Sequence, residues 1–241
     1  MMLRCDDIFF DTKVEDCKRI WSLIGKYEFN QVLGVVARGA GAPILRCKPA
    51  RQGNKWIIKH SGDIWFGTNA ELKEQVKIQL DKGDLLGLHG LYHISYRKEP
   101  YSTQLEHLRR GKEYLESQFN TEVKYFVPPF NGYNDDTKTV TSKLGMEITY
   151  PTPSEMDVFI LNKDNTRNKI KKLARQDADG KNYPFYHPFL LGGDWKGQKI
   201  YIERHDKHMD IPPPTWNLNW TLNRFEVYLK ELRRCVDNEV M

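Results

Sequence analysis

Two histidines four residues apart, in His89-Gly90-Leu91-Tyr92-His93, are the strongest chemical signal in the chain. On a helical turn an i, i+4 pair places both imidazoles on one face, with Cβ atoms about 5–6 Å apart. That spacing lets two nitrogens reach one metal ion at about 2.0–2.1 Å. The pair follows directly on Asp84–Leu88, a short apolar run that reads as a strand. A second such run, Met2–Phe10, carries Asp6 and Asp7. A carboxylate from Asp7 completes a facial set of three ligands and leaves a position open for water. Neighbours on a strand face opposite ways, but past a strand end that rule relaxes. One acid can then bind metal while the other serves as base. A nearby like charge raises one carboxyl pKa and a cation lowers the other.

Two further strand ends carry polar groups. Pro128-Pro129-Phe130-Asn131-Gly132 is a rigid turn after Lys124–Val127. Prolines lack the N–H and fix φ, so the amide of Phe130 is held in a defined direction and suits an oxyanion donor. The competing reading is a plain strand-to-helix turn capped by Asn134 or Asp135. His205 follows the Lys199–Glu203 strand, next to Asp206. A histidine there suits a general acid, with a carboxylate orienting it. His187, in Tyr186-His187-Pro188, competes for that role or contacts substrate.

The elements that must position these groups alternate. After Met2–Phe10, the apolar spacing of Val14, Cys17, Ile20, Trp21 and Ile24 predicts a helix over Val14–Tyr27, capped by Asp11 or Thr12. Gln31–Ala37 is a continuous apolar run, the mark of a buried parallel strand. Arg38–Gly67 reads as a long loop with a short hairpin. Helices are expected at Ala70–Asp81, Thr103–Gln118, Asp135–Leu144 and Thr221–Asp237, with Gly145 at a C-cap. Met146–Thr149 is a strand, and 151–196 shows little pattern. This alternation predicts a parallel α/β sheet or barrel in one domain over 1–241. In such folds the active site forms at the carboxyl ends of the strands, where the acids, histidines and Pro-Pro turn all stand.

Composition excludes several classes. The chain has 241 residues, 39% hydrophobic and 12% aromatic, too apolar for disorder. No apolar run approaches the ~18 residues of a membrane span. The net charge of +5 is spread along the chain, not gathered into the stripe of a nucleic-acid binder. Four cysteines, at 5, 17, 47 and 235, form no Cys-x-x-Cys pair and no disulfide framework. With no apolar leader after Arg4, a reduced, cytoplasmic protein is expected.

In this order the four pieces resemble the polysaccharide deacetylase (NodB-homology, carbohydrate esterase 4) superfamily. Arg4-Cys5-Asp6-Asp7 is similar to its Asp-Asp motif, His89–His93 to its His-x-x-x-His motif, Phe126-Val-Pro-Pro-Phe130-Asn131 to its Arg-Pro-Pro-Tyr motif, and Ile200–Asp206 to its late Leu-x-His-Asp motif. The resemblance implies a distorted (β/α) barrel of about seven parallel strands. It implies Asp6 as catalytic base, with Asp7, His89 and His93 as metal ligands and His205 as acid. Zinc is the first expectation for the divalent metal, with Fe, Co or Ni also suited to two histidines and a carboxylate. The implied reaction removes an N-acetyl group from a sugar or glycan. Asn131, His187, Tyr92 and Trp195 are the expected substrate contacts, and Trp65 and Tyr133 are further candidates for stacking on sugar rings. Gly90 replaces the usual Ser or Thr between the ligands, and Val127 stands where that family carries an arginine that orients the base. Only Asp194-Trp195 echoes its Asp-Trp region. These departures place the chain on a divergent branch, near deacetylase-like proteins of surface-polysaccharide (lipopolysaccharide) gene clusters. The alternative is an inactive barrel that binds glycan.

Overall fold

The structure, a computed structural model, describes residues 1–39, 50–52, 55–57, 64–151, 166–178, 182–187, 199–202, 207–210 and 218–239. Its centre is one sheet of six parallel strands. In chain order these are β1 (Met2–Ile8), β2 (Asn30–Val35), β5 (Leu85–Leu88), β6 (Tyr125–Phe126), β7 (Glu147–Ile148) and β8 (Phe185–Tyr186). In space they run β7-β6-β5-β2-β1-β8. The described residues thus supply six of the about seven strands implied, in a curled half-barrel with helices packed on it. The expected hairpin within 38–67 is present as β3 (Ala50–Gln52) and β4 (Lys55–Ile57), paired antiparallel.

Helix α1 (Val14–Lys26) buries Cys17, Ile20, Trp21 and Ile24, the predicted face. Its N-cap is Lys13, with no side-chain cap bond, rather than Asp11 or Thr12. The Thr12 hydroxyl instead accepts from the Phe9 amide, closing the turn after β1. Helix α2 (Ala70–Asp81) is capped by Asn69, whose side chain accepts from the Leu72 amide. Helices α3 (Tyr101–Phe119) and α4 (Asp135–Lys143) follow. Asn134 caps α4 in a reciprocal box with Thr137, satisfying two otherwise orphaned amides. Helix α5 (Arg167–Asp177) lies in the stretch that showed little pattern. Helix α6 (Leu218–Glu239) packs on α5, where Arg175 Nε meets Glu231 Oε1 at 2.6 Å.

One expected strand sits elsewhere. Lys199–Ile202 (β9) pairs antiparallel with Lys207–Asp210 (β10) in a separate two-stranded sheet. The position beside β1 is taken by β8, through Arg4↔Phe185 and Cys5↔Tyr186. Two-residue strands such as β8 carry no periodicity to read. The longer Lys199–Glu203 run looked like a sheet strand because hairpin strands share its alternation.

Away from the site, the sheet is tied by a buried polar chain. Asp84 accepts from the Gln31 amide at 3.0 Å and from Gln31 Nε2 at 2.8 Å, and Tyr186 donates to Gln31 Oε1. Burial pushes the Asp84 carboxyl up to about 6 from 3.8, against the Gln31 hydrogen bonds, which lower it. A raised folded pKa means the neutral acid is favoured on folding. Its contribution is therefore present in full below the unfolded value and is lost as pH rises through about 6. At about 1.4 kcal/mol per unit, Asp84→Asn is expected to remove this loss of stability between acid and neutral pH. Unfolding free energies from urea titrations across this window, wild type against variant, check it by diverging by roughly 2–3 kcal/mol from the acid end to neutrality.

Candidate metal centre

The loop after β5 and the end of β8 meet around Asp7, in β1. The β1–β2 register shifts between Cys5 and Ile8, a bulge in the strand. Asp7 sits in it with φ 59, in the left-handed region. A bulge re-aims a side chain, and this one resolves the problem of two adjacent acids. Asp6 keeps the face it shares with Arg4, two residues earlier, while Asp7 turns toward the loop after β5.

That loop is not the helical turn the i, i+4 spacing suggested. Residues 89 and 90 are irregular, 91–93 form bends, and Gly90 has φ 85. A Cβ at Gly90 would lie 2.5 Å from the Tyr92 carbonyl oxygen, which accounts for glycine in place of Ser or Thr. The loop is pinned to residues beyond β2: the Ala37 amide donates to Gly90 O and the Arg38 amide to Leu91 O. The two imidazoles still converge. His89 Nε2 lies 2.7 Å and His93 Nε2 2.8 Å from the same oxygen, Asp7 Oδ1. All three residues are buried, and their ligand atoms lie within 4.8 Å of one another.

The donor chemistry fits a divalent cation. His89 Nδ1 lies 2.7 Å from the Val127 carbonyl. A carbonyl only accepts, so Nδ1 carries the proton and Nε2 presents its lone pair to the cluster. Burial holds His93 below its ordinary value, favouring the neutral imidazole, and its Nδ1 is buried with no hydrogen-bond partner. Burial alone would raise Asp7. His93, His89 and His187 around it win, holding the carboxyl well below the usual range. An ionised carboxylate beside two imidazole nitrogens is a donor set that a divalent cation takes.

The remaining expected site residues divide. Phe130 and Asn131, both left-handed at φ 55 and 51, stand at the rim after β6. The Phe130 ring lies 4.5 Å from that of His93 and is 36% exposed. The amides of Asn131 and Gly132 donate to Pro128 O and Pro129 O. Asn131 Oδ1 accepts from Arg4. His187, at the end of β8, places Nε2 3.8 Å from Asp7 Oδ2. Tyr92 turns from the triad: its hydroxyl accepts from Arg38 and its ring meets His107 edge-on at 5.3 Å. Trp65 packs against Tyr114 and Tyr133 against Tyr150. His205, Asp206, Asp194 and Trp195 lie outside the described residues. Arg4, fully buried and bonded to Asp6, is a site residue that no motif announces. The signal was available: a lone arginine in an apolar strand, two residues before an acid and so on its face.

Comparison with known proteins gives this half-barrel, with its Asp-His-His cluster at the carboxyl edge, a family. The polysaccharide deacetylase family model matches residues 11–149. The chain belongs to that family. No curated protein matches it. Among solved structures it is similar to a CE4 family pseudoenzyme from Bacillus anthracis, with 14% identity and TM-score 0.53, covering 78% of this chain and 54% of that one. A family 4 carbohydrate esterase from Streptomyces lividans, in complex with acetate, is similar at 12% identity and TM-score 0.54, over 96% of this chain and 86% of that one. A peptidoglycan N-acetylglucosamine deacetylase is similar at 12% identity and TM-score 0.57, over 99% and 82%. The chain thus spans about half the length of the Bacillus anthracis protein.

Proposed function

We propose that this protein is a metal-dependent hydrolase that removes an N-acetyl, or similar N-acyl, group from a sugar in surface-polysaccharide synthesis. The observation that carries the reading is the convergence of two imidazole Nε2 atoms on one Asp7 oxygen, beside a second, separately held carboxylate. Asp7, His89 and His93 would hold the ion, zinc first, with Fe, Co or Ni also suited. A divalent cation there supplies Lewis acidity for the acyl carbonyl and acidifies a water. Asp6, adjacent in sequence but clamped apart, takes the proton of the attacking water. The Phe130 amide, first after two prolines, donates to the developing oxyanion. His187 protonates the leaving amine. It stands at the carboxyl end of β8, the sheet strand beside β1, and is the competitor of His205 for this role. The exposed rings of Phe130 and Tyr150 offer faces for a sugar.

The test is acetate release from N-acetylhexosamine and its oligomers after loading with each metal, with elemental analysis alongside and His89→Ala as control. Release that requires metal supports the reading. A chain that binds metal and glycan yet never releases acetate overturns it in favour of the glycan-binding barrel. Val127, and the likeness to a protein described as a pseudoenzyme, favour that second reading.

A further inference from the structure

We infer that Arg4, on strand β1, is the positioning residue for the base, doing from the strand what a turn arginine at position 127 does elsewhere in the family. This rests on the hydrolase reading above.

Arg4 Nε donates to Asp6 Oδ1 at 2.7 Å and Nη2 to Asp6 Oδ2 at 2.6 Å, a two-pronged pair. Nη2 also donates to Asn131 Oδ1 at 2.7 Å, and Nη1 to the Thr149 carbonyl at 2.9 Å. The Phe185 ring lies 4.8 Å from the guanidinium carbon. Arg4 is fully buried and Asp6 nearly so. A buried guanidinium must be matched by acceptors. Here they come from β1 itself, the turn after β6 and the end of β7, with β8 as the floor. The planar fork fixes both the position and the plane of the Asp6 carboxylate. It also joins Asp6 to Asn131, one residue beyond the proposed oxyanion donor.

Position 127 explains why the charge sits on the strand. Val127 is buried and packs over Gly34 and Gly87, which face each other across β2 and β5. A Cβ built on Gly34 would lie 3.3 Å from one Val127 methyl, and one on Gly87 3.1 Å from the other. The aliphatic side chain fills the space those two glycines leave. Arg4 reaches Asp6 by strand alternation, since residues i and i+2 share a face.

The decisive variants are Arg4→Lys, which keeps a buried cation but lacks the fork, and Arg4→Gly, which leaves room for free guanidinium. In metal-loaded full chain, Arg4→Lys is expected to lower kcat for acetate release roughly 10²-fold, within the range for a displaced proton-transfer group. KM and metal stoichiometry should hold at wild-type values. Added guanidinium should restore part of the turnover of Arg4→Gly, and ammonium should not. Independent of turnover, the Arg4 Nε–H resonance is expected to exchange slowly in wild type and to lose that protection in Asp6→Asn. Wild-type kcat in Arg4→Lys, or a loss of bound metal parallel to the loss of activity, overturns the assignment, the second by showing a merely structural role. If Arg4→Gly fails to fold, Arg4→Lys and the resonance decide. A wild-type chain that releases no acetate overturns the hydrolase reading itself, an outcome distinct from an active wild type indifferent to Arg4.

Discussion

Asp7→Asn is expected to strip the centre of metal with the fold intact. The choice of asparagine matters. Asp7 holds φ 59, a conformation that asparagine tolerates and most residues resist. The substitution therefore keeps the bulge and removes only the charge. Without it the cluster offers a cation two neutral imidazoles and an amide oxygen. Wild type is expected to hold about one ion per chain. The variant, dialysed against the same free metal, should retain almost none. The reaction loses several kcal/mol of charge stabilisation with the ion, so acetate release should fall roughly 10³-fold or more. Because Asp7 is held well below the usual carboxylate range and burial keeps His93 neutral, the wild-type ligands are ready for metal at neutral pH. Elemental analysis and a thermal melt on the same preparation separate ligand loss from unfolding. A variant that keeps its metal would remove Asp7 from the ligand set.

Asp6→Asn is expected to do the reverse, keeping the metal and losing turnover. Both Asp6 oxygens are taken by Arg4. The variant loses the proton acceptor, worth about 10²–10⁴-fold in acetate release. It also leaves Arg4 buried without its counter-charge, which costs roughly 3–5 kcal/mol of stability when one partner of such a pair is removed. The Arg4 bonds to Asn131 and the Thr149 carbonyl remain and soften that loss. Turnover per folded molecule, corrected by a melt, is the quantity to compare. Glycan affinity near wild type alongside lost turnover would place Asp6 in the chemical step rather than in binding. Unchanged turnover would exclude it as the base.

Much of the site was legible because its parts lie at strand ends, and strand ends are marked locally. The His89–His93 pair after an apolar run, the Asp-Asp pair and the double proline each announce themselves within a few residues. Helices long enough to show a 3.6-residue period, such as α1, α2 and α3, were legible for the same reason. Short elements were not. β8 has two residues, and α5 has only four buried ones, Ile170, Leu173, Ala174 and Asp177. Neither leaves enough pattern to separate from loop. The Lys199–Glu203 run failed in the opposite way: it looks like a sheet strand, and nothing in its residues says which partner it will choose.

The candidate ligand types, their order along the chain and the α/β class were readable from residues alone, because metal preference and hydrophobic period are properties of local composition. How they meet is a property of the folded sheet. A bulge, not a strand end, sends Asp6 and Asp7 apart, and a glycine bend, not a helical turn, brings His89 to His93. The sheet puts His187 at the end of the strand beside β1, and places Arg4 against Asp6. Each of these depends on which strand lies next to which and in what register. Those pairings are settled by burial of the whole sheet, and no window of the chain contains them.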